Sequence, residues 1–406
     1  MRVLLVHNFY GSSAPSGENQ VFKAERALLE SRGNSVFVLI RDSDRVRSLG
    51  LYGEIRAGLS TPWNMRAADE IRTFVRRVKP DVVHVHNTFP LLSPAVFRAA
   101  GGTAARVLTL HNYRLFCAAA IPMRQKRVCT ECLDRGFALP AVQHGCYRGS
   151  RLATLPLAIS VEVHRRLGTW QRDVEAFIAL SEFQRDTMAG AGLPRKRIHV
   201  KPNFCVSDVM PRSWASRDDA VIYAGRLSVE KGVRDLIRAW SMWGPEAPEL
   251  RIVGNGPLRA ELESASRECA GVRIRFLGQK NPAQTRDLIA ACKLLILPST
   301  WFETFGMVVC EAFAAGTPAA VSNLGALPSI VQEHVTGTIF PAGNPLQLLE
   351  AVRRVWVSPE LEQMGVAARR RYEERFSDDA NYSILMDVYE QAIECRSKRS
   401  PTLDVR

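Results

Sequence analysis

Short apolar runs alternate with amphipathic stretches along almost the whole chain. In the first half, Val3–Val6, Ser35–Leu39, Val82–His86, Arg106–Leu110, Phe177–Leu180 and His199–Lys201 read as buried strands. Between them, Asn19–Arg32 and Ala67–Val78 carry the three-to-four-residue spacing of a helix with one apolar face. The second half begins the same alternation afresh. Its strand candidates are Ala220–Tyr223, Leu250–Val253, Arg273–Leu277, Leu294–Leu297, Pro318–Val321 and Gly337–Phe340. Its helical candidates are Val233–Trp240, Leu258–Cys269, Pro282–Ala291, Val309–Ala315 and Pro345–Val355. Strands alternating with helices predict βαβ units and parallel sheets, so the pattern predicts two doubly wound α/β domains. The boundary is expected within Phe204–Arg217, a stretch of mixed polarity with Pro211 and three serines. A last helical pattern, Asn381–Cys395, follows both sheets, and the polar tail from Arg396 is expected to fray.

Composition narrows this picture only slightly. The 406 residues suffice for two or three cores, and 46% hydrophobic with 23% charged residues is ordinary for a globular protein. No run of 18 or more apolar residues predicts a membrane span. The opening Val3–Val6 run is too short for a signal peptide, so a cytoplasmic location is expected. The net charge of +13 favours anionic partners such as nucleotides or an acidic membrane face, or is simply a solvated basic surface. No helix-turn-helix or aromatic RNA-binding pattern accompanies it, so nucleic acid is not expected.

Two common nucleotide signatures are absent. No GxGxxG follows the first strand, which counts against a nicotinamide or flavin domain, and no GxxxxGK[ST] occurs. Three other constellations remain. Gly225-Arg226-Leu227-Ser228-Val229-Glu230-Lys231-Gly232 follows a strand and places two cations at a strand-to-helix turn. That suits a diphosphate, and equally a solvated basic turn. Gly254-Asn255-Gly256-Pro257 allows a tight turn and a close ligand approach, or is a plain βα turn. In the segment Pro298–Pro318, Glu303 and Glu311 flank Gly306 at a predicted helix start. Amides of Gly306, Met307 and Val308 would face a phosphate, Glu311 a ribose diol and Glu303 a sugar.

In order and spacing these motifs resemble the retaining glycosyltransferases of family four, whose E-x7-E signature matches Glu303-x7-Glu311 followed by Ala312-Phe313-Ala314-Ala315-Gly316-Thr317-Pro318. The resemblance implies a GT-B fold: two doubly wound Rossmann-like domains facing a central cleft. It implies an acceptor-side domain over residues 1–205, a nucleotide-sugar donor domain over 206–375, and a C-terminal helix with a basic tail over 376–406 that returns to the first domain. It also implies transfer of a sugar, with retention, from a nucleotide-diphosphate sugar to a saccharide or lipid-linked acceptor, in polysaccharide biosynthesis at the inner face of the membrane. Arg226 and Lys231 would neutralise the diphosphate, so no cofactor or catalytic metal is needed. Gly17, where the family has a Gly-Gly turn and this chain has Ser16-Gly17-Glu18, would approach the diphosphate. His111 resembles the family's sugar-contacting histidine, or simply caps a strand. The rival expectations are another GT-B enzyme, such as a nucleotide-sugar 2-epimerase or a phosphorylase, and a non-catalytic nucleotide-sugar-binding protein.

Nine cysteines are unevenly spread, and four of them, Cys117, Cys129, Cys132 and Cys146, fall in an apparent insertion at about 115–150. Their C-x11-C-x2-C-x13-C spacing fits a structural zinc site, with His144 as a substitute ligand; small core residues or a redox pair are the alternatives. The apolar and basic run that follows, to Arg166, reads as a packed helix lining the cleft or as a segment resting on a membrane surface.

Overall fold

A computed structural model describes residues 1–10, 17–102, 104–206 and 210–399. The chain divides into two compact units: Met1–Pro122 with Cys129–Lys201 and the chain from Asn381 onward, and Met123–Val128 with Pro202–Ala380.

The first unit is built on six parallel strands: β1 Arg2–Phe9, β2 Ser35–Asp42, β3 Val82–Val85, β4 Ala105–Thr109, β7 Ala176–Ala179 and β8 Ile198–Val200. Between β4 and β7 the chain makes a two-residue antiparallel hairpin, β5 Met123–Arg124 with β6 Arg127–Val128. The sheet order is β2-β1-β3-β4-β7-β8. Val3 to Val6 and Val82, Val83 and Val85 are fully enclosed, as expected where helices cover both faces of a parallel sheet. Helices Gly17–Ser31 and Met65–Val78 are among the coverings, the second capped by Asn64, whose side chain accepts from the Ala67 amide. The last helix, Asp378–Arg399, sends Leu385, Val388, Tyr389 and Ala392 into this core. It runs through Arg396, which reaches the Gly102 carbonyl, so residues 396–399 are ordered helix rather than frayed tail; residues 400–406 lie outside the described range.

The second unit repeats the architecture with β9 Asp218–Ala224, β10 Glu249–Val253, β11 Ile274–Gly278, β12 Cys292–Leu297, β13 Ala319–Ser322 and β14 Gly337–Phe340. Their order, β11-β10-β9-β12-β13-β14, reverses direction between β9 and β12. In such sheets ligands bind outside the carboxyl ends of the strands at this switch point, so the loops after β9 and β12 are the place to look. Asn281 and Gln284 form a reciprocal capping box at the start of helix Pro282–Ala291. Helix Met307–Ala314 begins two residues earlier than its apolar pattern suggested, immediately after Gly306. That shift puts Met307 and Val308 in its first turn, where backbone N–H groups have no acceptor within the helix.

Candidate functional site

In the second unit, the loops after β9 and β12 carry the predicted residues to one place. Lys231 ends the turn after β9 and donates from Nζ to Glu303 Oε1 at 2.5 Å. Ser299, just past β12, donates to the same oxygen at 2.7 Å and is itself held by Ser322 Oγ, which donates inward to the Ser299 carbonyl. Glu303 is buried with the Lys231 ammonium against it and the Trp301 ring 5.4 Å from Nζ. The sequence assigned these two side chains to separate parts of a ligand; the structure joins them as an ion pair. Arg226 behaves differently. Its guanidinium is exposed while its carbonyl is anchored by Tyr223 Oη at 2.8 Å and the Ser228 amide. A fixed backbone and a free head suit a cation that waits for an anion.

The glycines divide into two kinds. Gly254 has φ +136°, and a Cβ there would lie 1.9 Å from the Gly225 carbonyl oxygen; at Gly256 a Cβ would lie 2.3 Å from that of Leu227. The two loops are zipped together by the Gly225 amide to the Val253 carbonyl and the Leu227 amide to the Asn255 carbonyl, both at 3.0 Å. At Gly254 and Gly256 the neighbouring loop makes a close approach. Gly306 is of the other kind: φ +96° places it as the turn into helix Met307–Ala314, and the first amides of that helix remain open to an anion.

Glu311, one turn into this helix, is partly buried, and burial raises its carboxyl to about 7, with Arg286 pulling the other way. Arg286, on helix Pro282–Ala291, was not singled out by the sequence, where it is one arginine among many.

In the first unit, His111 lies two residues beyond β4 and lines a pocket with His86, Asn87, Thr88, Asn112 and Arg114. Asn112 donates to Glu18 Oε1 at 2.7 Å, and Glu18, raised to about 7 by burial, sits in the first turn of helix Gly17–Ser31. Gly17 opens that helix with space around its Cα, so no crowding or left-handed φ demands glycine there. Residues 11–16 of the same turn, Ser16 included, lie outside the described range.

Beneath the pocket is a buried polar cluster absent from the sequence reading. Lys201 Nζ donates to Glu25 Oε2 and Asn381 Oδ1, each at 3.0 Å. Glu25 Oε1 lies 3.1 Å from His84 Nδ1 and 3.2 Å from His86 Nε2. Burial by itself would push the Glu25 carboxyl up; Lys201, then His84 and His86, outweigh it and hold the group well below the usual carboxylate range. The signal was present in the two histidines of Val82–His86, since residues two apart on a strand share a face.

The four insertion cysteines are not drawn together around one point. Among the described residues, the only three or more His, Cys, Asp or Glu ligand atoms within 4.8 Å of one another are those of Glu25, His84 and His86. Tetrahedral Zn–S bonds of about 2.3 Å would bring sulfurs to about 3.8 Å. Cys117, Cys129, Cys132 and Cys146 do not gather so closely. Cys132 is core packing with Ala118, Ala141 and Leu157, with Cys146 against them, while His144 faces Glu131. Burial pushes the Cys117 and Cys132 thiols up to about 12 and about 11, with neighbouring cysteines adding to the shift.

Two family models match consecutive stretches covering most of the chain: a glycosyl transferase 4-like domain over residues 26–203 and glycosyl transferases group 1 over residues 211–371. The chain belongs to the family 4 glycosyltransferases of the GT-B fold. Among curated relatives, an uncharacterised glycosyltransferase of Methanocaldococcus jannaschii is 33% identical over 189 residues, 45% of this chain and 48% of that protein. The alignment thus spans about half the length of that relative. A GDP-mannose-dependent alpha-(1-6)-phosphatidylinositol dimannoside mannosyltransferase of Mycobacterium tuberculosis is 26% identical over 382 residues, 91% of each chain. Among solved structures, Anabaena HepE in complex with UDP aligns with a TM-score of 0.65 at 18% identity, over 96% of this chain and 100% of that one. That likeness concerns the fold of this family 4 chain. Its site residues stand on the geometry above.

Proposed function

We propose that the protein transfers a sugar, with retention at the anomeric carbon, from a nucleotide-diphosphate sugar to a saccharide or lipid-linked acceptor. The observation that carries this reading is the Lys231–Glu303 pair, steadied by Ser299, at the β9/β12 switch point beside the open first turn of helix Met307–Ala314. A sugar diphosphate matches it group by group. Arg226 and Lys231 meet the diphosphate, and amides at Gly306, Met307 and Val308 the distal phosphate. Glu311 takes the ribose diol. When Lys231 turns to phosphate, Glu303 is released to accept from donor-sugar hydroxyls. His111 belongs to the sugar side of the first unit, and Gly17, next to the Glu18 that Asn112 holds, to its diphosphate side. Residues 1–205 are thus assigned to the acceptor side and 206–375 to the donor.

Charge develops on the leaving diphosphate as the glycosidic bond breaks, so fixed cations accelerate the step more than they tighten ground-state binding. The departing phosphate takes the acceptor's proton, on the same face, which retains configuration. No metal enters this scheme. The relatives support the donor class: the Mycobacterium protein is described as GDP-mannose-dependent and the Anabaena structure contains UDP.

Peripheral attachment to an anionic membrane face in the cytoplasm is part of the proposal. No described helix is long and apolar enough to cross a membrane. Tyr52, Ile55, Leu59 and Met65 are exposed beside Arg56 and Arg66, and Leu152, Leu155 and Ile159 beside Arg148 and Arg151. Helices Gly50–Ser60 and Arg151–Arg166 touch each other, Gly58 coming close to Pro156. Such a mixed face suits a lipid-linked acceptor.

The test is a panel of UDP- and GDP-sugars read by thermal shift and then by nucleotide release. Glu303→Gln should cut turnover far more than nucleotide affinity, and Arg226→Ala should cut both. Unchanged turnover in Glu303→Gln removes the role given to that residue. Nucleotide release without any acceptor indicates an epimerase, and a silent panel a non-catalytic binder.

A further inference from the structure

The buried cluster under His111 invites a metal reading, since Glu25, His84 and His86 point ligand atoms at one another. The Lys201 ammonium 3.0 Å from Glu25 Oε2, in a fully enclosed site, already supplies the positive charge and repels a second one. The connectivity leads elsewhere. His86 Nδ1 lies 3.0 Å from His111 Nε2, with the two rings stacked at 5.2 Å. Its other nitrogen lies 3.2 Å from Glu25 Oε1. Close polar contacts run from the pocket through His111, His86 and Glu25 to Lys201, the His86–Glu25 step being a 3.2 Å approach of facing atoms rather than an aligned hydrogen bond.

We infer that Glu25 and His86 are positioning residues that fix the tautomer of His111, so that it offers the pocket a hydrogen-bond acceptor at Nδ1. The proton positions follow one from the next. Lys201 donates to Glu25, which as a carboxylate only accepts. His86 Nε2, facing that carboxylate, therefore carries the proton, because two lone pairs at 3.2 Å repel. The neutral ring of His86 then has a lone pair at Nδ1, so His111 Nε2 must donate to it. The one remaining nitrogen of His111, Nδ1, is left unprotonated. Burial, and then the neighbouring histidines, lower both rings, His86 to about 4 and His111 well below the ordinary value, so neither is an imidazolium near neutral pH.

The consequence is selectivity of ligand class. A hydroxyl donates to Nδ1, whereas a phosphate or carboxylate oxygen meets a lone pair and is repelled. At the His111 ring the pocket thus takes a sugar hydroxyl rather than a phosphate oxygen. This inference rests on the reading of His111 as a sugar contact for its use, but not for its proton positions.

The decisive measurement is 15N NMR of the histidine rings in the intact wild-type protein at pH 7, with His111 assigned by its loss in His111→Asn. His111 should show a protonated Nε2 and an unprotonated Nδ1. A protonated Nδ1, or two protonated nitrogens, overturns the relay. The second arm is kinetic, with whichever nucleotide sugar the panel identifies. His86→Leu should lower kcat/KM by up to about 100-fold through misplacement of His111. Nucleotide affinity should stay within twofold, and His86→Gln, whose amide can accept from His111 and donate to Glu25, should restore part of the rate. An unchanged kcat/KM in folded His86→Leu also overturns it. Should the wild type transfer no sugar, the proposed function fails while the NMR result still decides the relay.

Discussion

Lys201 and Glu25 offer a quantitative test of the first unit. Both side chains are 1% exposed, with Nζ and Oε2 3.0 Å apart. At an effective dielectric of about 20, Coulomb's law gives roughly 5.5 kcal/mol of attraction at this distance. Desolvation of the two ions offsets much of it, so the pair contributes little net while its rupture is expensive. Lys201→Met strands a buried carboxylate, and Glu25→Gln strands a buried ammonium whose acceptors, Asn381 included, are then neutral. Each should cost roughly 3–5 kcal/mol, and the double variant clearly less than their sum, giving a coupling of about 2–4 kcal/mol. Urea unfolding followed by a probe in the first unit measures all four corners of the cycle. A coupling below about 0.5 kcal/mol would refute the reasoning, because contacting charges in a dry site cannot be independent. The acid limb gives an internal check. The Glu25 carboxyl is depressed in the native state, so its stabilisation is complete above its ordinary value of 4.5 and is lost as pH falls toward the lowered one. Glu25→Gln should remove that limb.

Three further outcomes are expected. Gly254→Ala should destabilise the second unit by about 2 kcal/mol or more in thermal melts, since a Cβ 1.9 Å from a backbone oxygen has no room and φ is +136°. If Glu311 accepts from the ribose as a carboxylate, nucleotide-sugar affinity should rise about tenfold from pH 6 to pH 8, because a group at about 7 must lose its proton first. Glu311→Gln should flatten that profile in calorimetry, and affinity that falls with pH would exclude the role. Metal analysis of purified protein should find under roughly 0.2 zinc per chain. About one per chain would mean that the four insertion thiols close on an ion after all.

The strands were legible because parallel strands covered on both faces need unbroken apolar runs, and Val3–Val6 or Leu294–Leu297 have no other economical use. The donor-side motifs were legible for a related reason: their residues lie within a few positions of strand ends, where local sequence and site coincide. The Lys231–Glu303 contact spans 72 residues and the Lys201–Glu25 contact 176, so no local pattern announces either. Gly254 illustrates the converse. Its sequence signature said only that something comes close, and the partner proved to be Gly225 of the adjoining loop. The cysteine spacing was compatible with a metal, but spacing does not fix where sulfurs point, and Cys132 packs among Ala118, Ala141 and Leu157.

The final helix has a consequence for synthesis. Tyr389 closes on His84 Nδ1 at 2.8 Å, Asn381 on Lys201, and Leu385, Val388 and Ala392 on the sheet. A nascent chain that has emerged only as far as β8 holds every strand of its first sheet yet lacks part of that sheet's cover and one acceptor for its buried ammonium. The second unit, apart from the small hairpin, is drawn from one uninterrupted stretch. Order of translation and order of completion are therefore opposed: the half begun first on the ribosome is finished last.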